Sequence, residues 1–207
     1  AILAHAEENG RTTQWSSMCA DVIPDRPLDI ARKARLLVAS NRTKEALRPL
    51  HYAVSKELLN GDWGRALELG HLRTRIVEGV AIDPDGVHAL DTEITNLYLI
   101  KGKARTKHIL SNAPSLIEWA NRLEEWDSSA QLYLSLGSQK LFGGESEEGR
   151  EHVLAALSLA QEHRLKRIVE VLNRLCFVSI RMGDLDSAHG YAREATLAAE
   201  SWGDTLG

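Results

Sequence analysis

Lys166 to Asp204 read KRIVEVLNRLCFVSIRMGDLDSAHGYAREATLAAESWGD, and this stretch decides the fold. Ile168, Val171, Leu172, Leu175, Val178 and Met182 recur mostly three or four residues apart, which lays one apolar stripe along a helix. Gly183 stops it, because glycine enters the left-handed conformation that ends a helix without a steric penalty. Leu185, Ala188, Ala192, Ala195, Ala199 and Trp202 repeat the pattern. Two such helices joined by a tight Gly-Asp turn pack antiparallel.

Working outward, the hairpin has relatives along the chain. Turn glycines stand at Gly61, Gly102, Gly144 and Gly183, intervals of 41, 42 and 39, and a period in that range marks a repeat architecture. Five, nine, twelve and sixteen residues after Gly144 come Gly149, Val153, Ala156 and Ala160. The same offsets after Gly183 give Ala188, Ala192, Ala195 and Ala199. The earlier units agree less well. Gly61 leads to Ala66, Gly70, Arg73 and Val77, and Gly102 leads to Lys107, Ser111, Pro114 and Glu118. Asn41, followed by Ala46, Leu50 and Ala53, resembles a further turn only 20 residues before Gly61, so it is either the alternate turn of the series or a sign that the parity shifts near Pro114.

Strand signals are scarce. Helices are expected near 28 to 39, 42 to 59, 62 to 79, 86 to 101, 103 to 111, 114 to 126, 128 to 142, 145 to 163, 165 to 182 and 184 to 202. Pro114 should break its segment at Ser111 to Ala113, and Pro49 should kink or split its own helix. Thr12 to Pro27 reads as a connecting loop behind the tail of an earlier helix at Ala1 to Glu8. The expected fold is all-α, an α-solenoid of antiparallel helix hairpins over 28–207, preceded by that tail and loop over 1–27. A chain that starts at Ala1 without Met and stops just past a helix end reads as a segment of a longer protein.

Composition narrows the function. Of 207 residues, 43% are hydrophobic, enough for a core, and 25 Lys and Arg against 29 Asp and Glu give a net charge of −4. No basic excess exists to drive binding to nucleic acid through counterion release. Two distant cysteines, Cys19 and Cys176, suit a reducing compartment and read as buried free thiols, a disulfide between them staying open. No apolar run approaches the roughly 20 residues of a membrane span, and the expected location is cytoplasmic.

The run Gly183-Asp184-Leu185-Asp186-Ser187-Ala188, through Tyr191, Ala192 and Ala195 to Trp202-Gly203-Asp204, resembles a tetratricopeptide-type repeat, with a period nearer 40 than the standard 34. The longer variety is similar to the helical arrays of bacterial LuxR-type ATPase transcription activators, such as the maltose-regulon activator. Arg32 to Ala39 followed by Glu45-Ala46-Leu47 has the same character. The resemblance implies an inducer-sensing or partner-binding array between an upstream ATPase and a downstream DNA-binding domain.

Chemistry is hard to find in the sequence. Eight histidines form no HExxH or other ligand spacing. No phosphate-cradling GxxxxGK[ST] loop and no GxSxG elbow appears. The reading is therefore a non-catalytic module with no cofactor and no metal. Its partner is a peptide, a protein or a small-molecule effector, with self-association into homo-oligomers open, and a general protein-protein scaffold is the alternative to the regulator. Binding should fall to polar residues on the first helices of the hairpins: Asn173, Arg174 and Arg181, then Gln131 and Gln139, then Asn96 and Tyr98. Asn can both donate to and accept from a ligand backbone, and Arg can grip a carboxylate with two bonds. Four tryptophans, Trp63, Trp119, Trp126 and Trp202, read as hairpin packing, Trp119 and Trp126 on one helix, while Trp15 lies in the loop.

Overall fold

The computed structural model describes residues 11–24, 26 and 29–201. They form ten helices: α1 (Thr12–Val22), α2 (Ile30–Ala39), α3 (Thr43–Leu59), α4 (Trp63–Gly79), α5 (Val87–Leu99), α6 (Lys103–Arg122), α7 (Trp126–Phe142), α8 (Ser146–Glu162), α9 (Ile168–Met182) and α10 (Leu185–Ser201). The chain falls into two compact units, residues 1–101 and 102–207. In the first, α1 packs on α2, α2 on α3, α3 on α4 and α5, and α4 on α5. In the second, each helix from α6 to α10 packs on its successor, and α7 also meets α9.

Six of the reversals share one geometry. Asn41, Gly61, Glu124, Gly144, Arg164 and Gly183 have φ of 62, 78, 58, 93, 50 and 79°. In each case the next residue donates its N–H to the carbonyl five back: Arg42 to Leu37, Asp62 to Glu57, Glu125 to Ala120, Glu145 to Lys140, Leu165 to Ala160 and Asp184 to Ser179. This is the Schellman closure, which satisfies the carbonyls a helix end leaves open. Asp62 and Asp184 then start the following helix, each accepting from a backbone N–H three residues on at 3.0 Å. Gly-Asp thus ends one helix and begins the next.

These turns settle the parity. Asn41 is the alternate turn of the series, and its spacing of 20 is repeated at 124, 144, 164 and 183 as 20, 20 and 19. Gly102 stands outside the series. Its φ of 67° comes with ψ of −152°, and it precedes α6 without closing a helix. Lys107, Ser111, Pro114 and Glu118, at the offsets counted from Gly102, are all exposed. The buried stripe of α6 is Ile109, Ala113, Leu116, Ile117 and Ala120.

Two expected interruptions are absent. Pro114 lies inside a continuous α6, and Pro49 inside a continuous α3. Proline removes one hydrogen bond, but Pro114 sits on the exposed side of the helix, while Ala113, Leu116 and Ile117 on the other face are buried and hold it continuous. A third difference is at the start: residues 12–22 are a helix, not a loop, held through Arg42, which bonds Asp21 at 2.6 Å and Glu45 of α3. Trp119 ends α6 and Trp126 begins α7, where its ring stacks on His163 at 4.3 Å, so the two do not share a helix. Ala1 to Glu8 and Trp202 lie outside the described residues.

The α7–α8 pair comes close because neither partner has a side chain at the crossing. A Cβ on Gly149 would sit 2.6 Å from Leu141 Cγ and 2.9 Å from the Gly137 carbonyl oxygen. Gly149→Ala is expected to cost about 1–3 kcal/mol through this overpacking. Glu124→Gly should add up to about 1 kcal/mol by relieving a left-handed residue that bears a Cβ. Urea midpoints of the two variants should move in opposite directions, and a shift of the same sign would contradict the turn and packing geometry.

Candidate functional site

In the 39-residue register between Gly144 and Gly183, Gln131 corresponds to Glu170, Ser135 to Arg174 and Phe142 to Arg181, so the three pairs hold equivalent places on α7 and α9. One face of the second unit is therefore built from α7 and α9 together. At its end lies Arg167, just before α9. Its guanidinium grips Asp127 with two bonds of 2.9 and 2.7 Å, donates to Glu170 at 2.9 Å and reaches Gln131 at 3.3 Å. Two bonds to one carboxylate fix orientation as well as distance, so Arg167 sets how α9 lies against α7. Farther along the face come half-buried Ser135 and Arg174, then exposed Phe142 and exposed Arg181. An exposed phenyl ring on α7 and exposed or half-buried guanidinium groups on α9 offer the groups that an apolar side chain and a carboxylate need.

Of the expected residues, Gln131 accepts from Arg167 at the start of α9, while Arg174 is half-buried and Arg181 exposed farther along that helix. Gln139 points to the other neighbour, accepting from Thr106 of α6 at 2.8 Å. Asn173 is exposed on α9, beside Phe177 and Ile180. Asn96 is exposed on α5 in the first unit, and Tyr98 is buried there in the core. Tyr98 accordingly offers packing, not a surface contact. Sequence reasoning passed over Phe142, whose signal was its place two residues before a turn glycine, and Arg167, hidden among the charges of a helix start.

It also passed over a buried polar cluster in the first unit. Arg73 of α4 is 1% exposed and Asp91 of α5 is fully buried. Arg73 donates to the Leu47 carbonyl at 3.2 Å, to Thr92 Oγ1 at 2.6 Å and to the His88 carbonyl at 3.0 Å. Asp91 accepts from Arg48 of α3 at 3.1 Å through one oxygen, and its other oxygen is 3.7 Å from His51 Nε2. Thr95 donates to the Asp91 carbonyl at 2.6 Å, and its hydroxyl oxygen lies 2.8 Å from His51 Nδ1. Burial pulls the Arg73 guanidinium below its ordinary value, an effect partly offset by Asp91. Acid, base and hydroxyl lie close together, and His51, Asp91 and Thr95 are all buried. Their evident work is to fix the register of α3, α4 and α5. Arg73 takes the offset that Ala156 and Ala195 hold in later repeats, and a charge at a core offset was the signal.

Cys19 and Cys176 are free thiols, half-buried instead of buried. Among the described residues no helix is long and apolar enough to cross a membrane.

Comparison with known proteins adds the fold and nothing finer. No family model and no curated protein matches the chain. A solved structure does: BtubC (BKLC) from P. vanneervenii matches with a TM-score of 0.58 at 14% sequence identity, over 100% of this chain and 94% of that one. At that identity the likeness speaks for the arrangement of helices alone.

Two outcomes follow from the first unit. Arg73→Met should cost about 3 kcal/mol or more in urea denaturation, since it strands two carbonyls and leaves Asp91 with less positive charge. Arg73→Lys should not restore it, because an ammonium cannot span three separated acceptors; full recovery by lysine would refute the cluster's role. His88 and His152 are held below the ordinary histidine value, first by burial. The unfolded chain takes up protons at these groups near pH 6.5 while the folded chain does not. Stability is therefore complete above about pH 6.5 and falls as pH drops below it. Thermal midpoints from pH 7.5 to 5.5 should decline, less steeply in His88→Gln; an unchanged slope would exclude His88 as a source.

Proposed function

We propose that this chain is a non-catalytic binding module, a tetratricopeptide-like α-solenoid that takes an extended acidic peptide or protein segment on the α7–α9 face. The observation that carries the reading is the register-matched face itself. Arg174 and Arg181 stand on it in line with Ser135 and Phe142, and Arg167 locks the two helices beneath. Stacked hairpins present such first-helix faces in a row, which suits an extended ligand. A carboxylate held by two nitrogens of an arginine, with an apolar neighbour in contact with Phe142, accounts for the residue types.

The biological setting follows the resemblance to the arrays of LuxR-type ATPase activators, in which the module senses an inducer or partner for a transcriptional regulator. Gene context tests this, since an upstream phosphate-binding loop and a downstream helix-turn-helix belong to the regulator, and their absence belongs to a general scaffold. The binding reading is tested directly by fluorescence titration of a peptide panel graded in charge. Acidic peptides with one aromatic or aliphatic residue should bind best. Arg174→Ala and Arg181→Ala should each weaken them about 10-fold or more, the scale of a lost charge-assisted bond, with the thermal midpoint unmoved. Equal affinity for basic and acidic peptides, or indifference to both substitutions, would sink the proposal.

A further inference from the structure

The first turn of α5 carries a base whose surroundings oppose its charge. His88 is the second residue of that helix, and its imidazole Nδ1 is buried without a hydrogen-bond partner. Its main-chain carbonyl accepts from Arg73 of α4 at 3.0 Å and from Thr92 at 2.7 Å. Around the ring stand three cations, Arg73 of α4 and Arg48 and Lys44 of α3, against one carboxylate, Asp91 of α5, whose Oδ2 is taken by Arg48. His51 of α3 lies 3.7 Å from the other Asp91 oxygen, and Asp83 and Asp85, in the turn before α5, are exposed. The helix adds to the imbalance. Free N–H groups of a first turn carry positive partial charge, Gly86 brings no side-chain cap, and no acidic residue stands in that turn.

A proton on His88 adds a fourth cation to this setting. Burial, then the three cations, hold the ring below the ordinary histidine value, with Asp91 opposing them. The chain has a local way to relieve such a charge. Residues 80–86 run into α5 without helix and are exposed at Ala81, Asp83, Pro84 and Asp85, so the start of α5 can unwind into water without carrying α4 with it.

We propose that protonation of His88 releases the first half of α5, residues 87–92, while α2, α3 and α4 stay folded, an acid-operated latch in the first unit. Release breaks the Arg73 bonds to the His88 carbonyl and to Thr92 and admits water to Asp91. A group whose folded pKa is lowered holds the closed form above its unfolded value and loses that hold as pH falls. The released population therefore rises about 10-fold for each pH unit below about 6.5, until the closed form itself takes the proton. The latch does not depend on a ligand at the α7–α9 face.

Residue-resolved amide exchange on the 207-residue chain, followed by nuclear magnetic resonance and corrected for the intrinsic pH dependence of exchange, tests it. Opening at Leu90, Asp91 and Thr92 should increase about 10-fold between pH 6.5 and 5.5. Low urea should barely change these rates, because a small opening exposes little surface, while α2 amides should keep the steep urea dependence of wider unfolding. In His88→Gln the rise in acid should vanish. Urea dependence at Leu90 to Thr92 as steep as in α2 would make the opening global and overturn the proposal. An unchanged rise in His88→Gln would do the same, as would slower exchange in acid, the mark of a protonated His88 pairing with Asp91 Oδ1. If His88→Gln does not fold, the wild-type His88 ring resonance decides. A titration midpoint below the ordinary histidine value supports the latch, and one at that value overturns it.

Discussion

A backbone hydrogen bond from the residue after a left-handed turn position to the carbonyl five residues earlier recurs six times among the described residues, and the arrangement of helices within each unit depends on it. It ends a helix, satisfies carbonyls that would otherwise be orphaned, and aims the chain back along the helix just finished. Repeating it every 19 or 20 residues makes neighbouring helices run antiparallel and brings every second helix to the same orientation. That is why residues 39 apart in the second unit share a face. The Arg167 network between α7 and the start of α9 is a consequence of this spacing.

Polar groups then do two different kinds of work. In the second unit the arginines of α9 and its start stand where helices meet solvent: Arg167 fixes α9 on α7, Arg174 is half-buried and Arg181 is exposed. In the first unit they are taken inside, with Arg73, Asp91, His51 and Thr95 tying three helices together away from water. A buried charge is costly unless paired and bonded, and Arg73 meets that condition with three acceptors. Such a cluster does not compensate for weak packing so much as it penalises every other register of α3, α4 and α5.

Much of this was legible in the sequence because helix ends and glycines are local. The boundaries of α2, α3, α4, α7, α8 and α9 follow from apolar spacing and turn residues to within a few positions. Gly61, Gly144 and Gly183 hold the left-handed conformation their places suggest. What escaped was decided at a distance. Glu124 and Arg164 occupy the same turn conformation without being glycine, so half of the period was invisible in the second unit. Pro114 looks like a break locally, yet the buried Ala113, Leu116 and Ile117 hold α6 together across it. The polar run of α1 shows no clean period, since part of its apolar stripe faces outward. Of the candidate site residues, Gln131, Arg174 and Arg181 are on helices the sequence delimits, and their partial or full exposure follows from the apolar stripes of those helices. Tyr98 does not, because the side of α5 that faces α3 and α4 could not be read from α5 alone.

The proposed binding falls on one face, to which α7 and α9 both contribute. Nuclear magnetic resonance mapping of backbone and side-chain shifts during titration with an acidic, aromatic-containing peptide tests it most directly. Shifts concentrated at Gln131, Ser135, Phe142, Arg174 and Arg181, with the His51 and Asp91 region silent, are the predicted result. Shifts that leave this face untouched and gather elsewhere in the chain would contradict it.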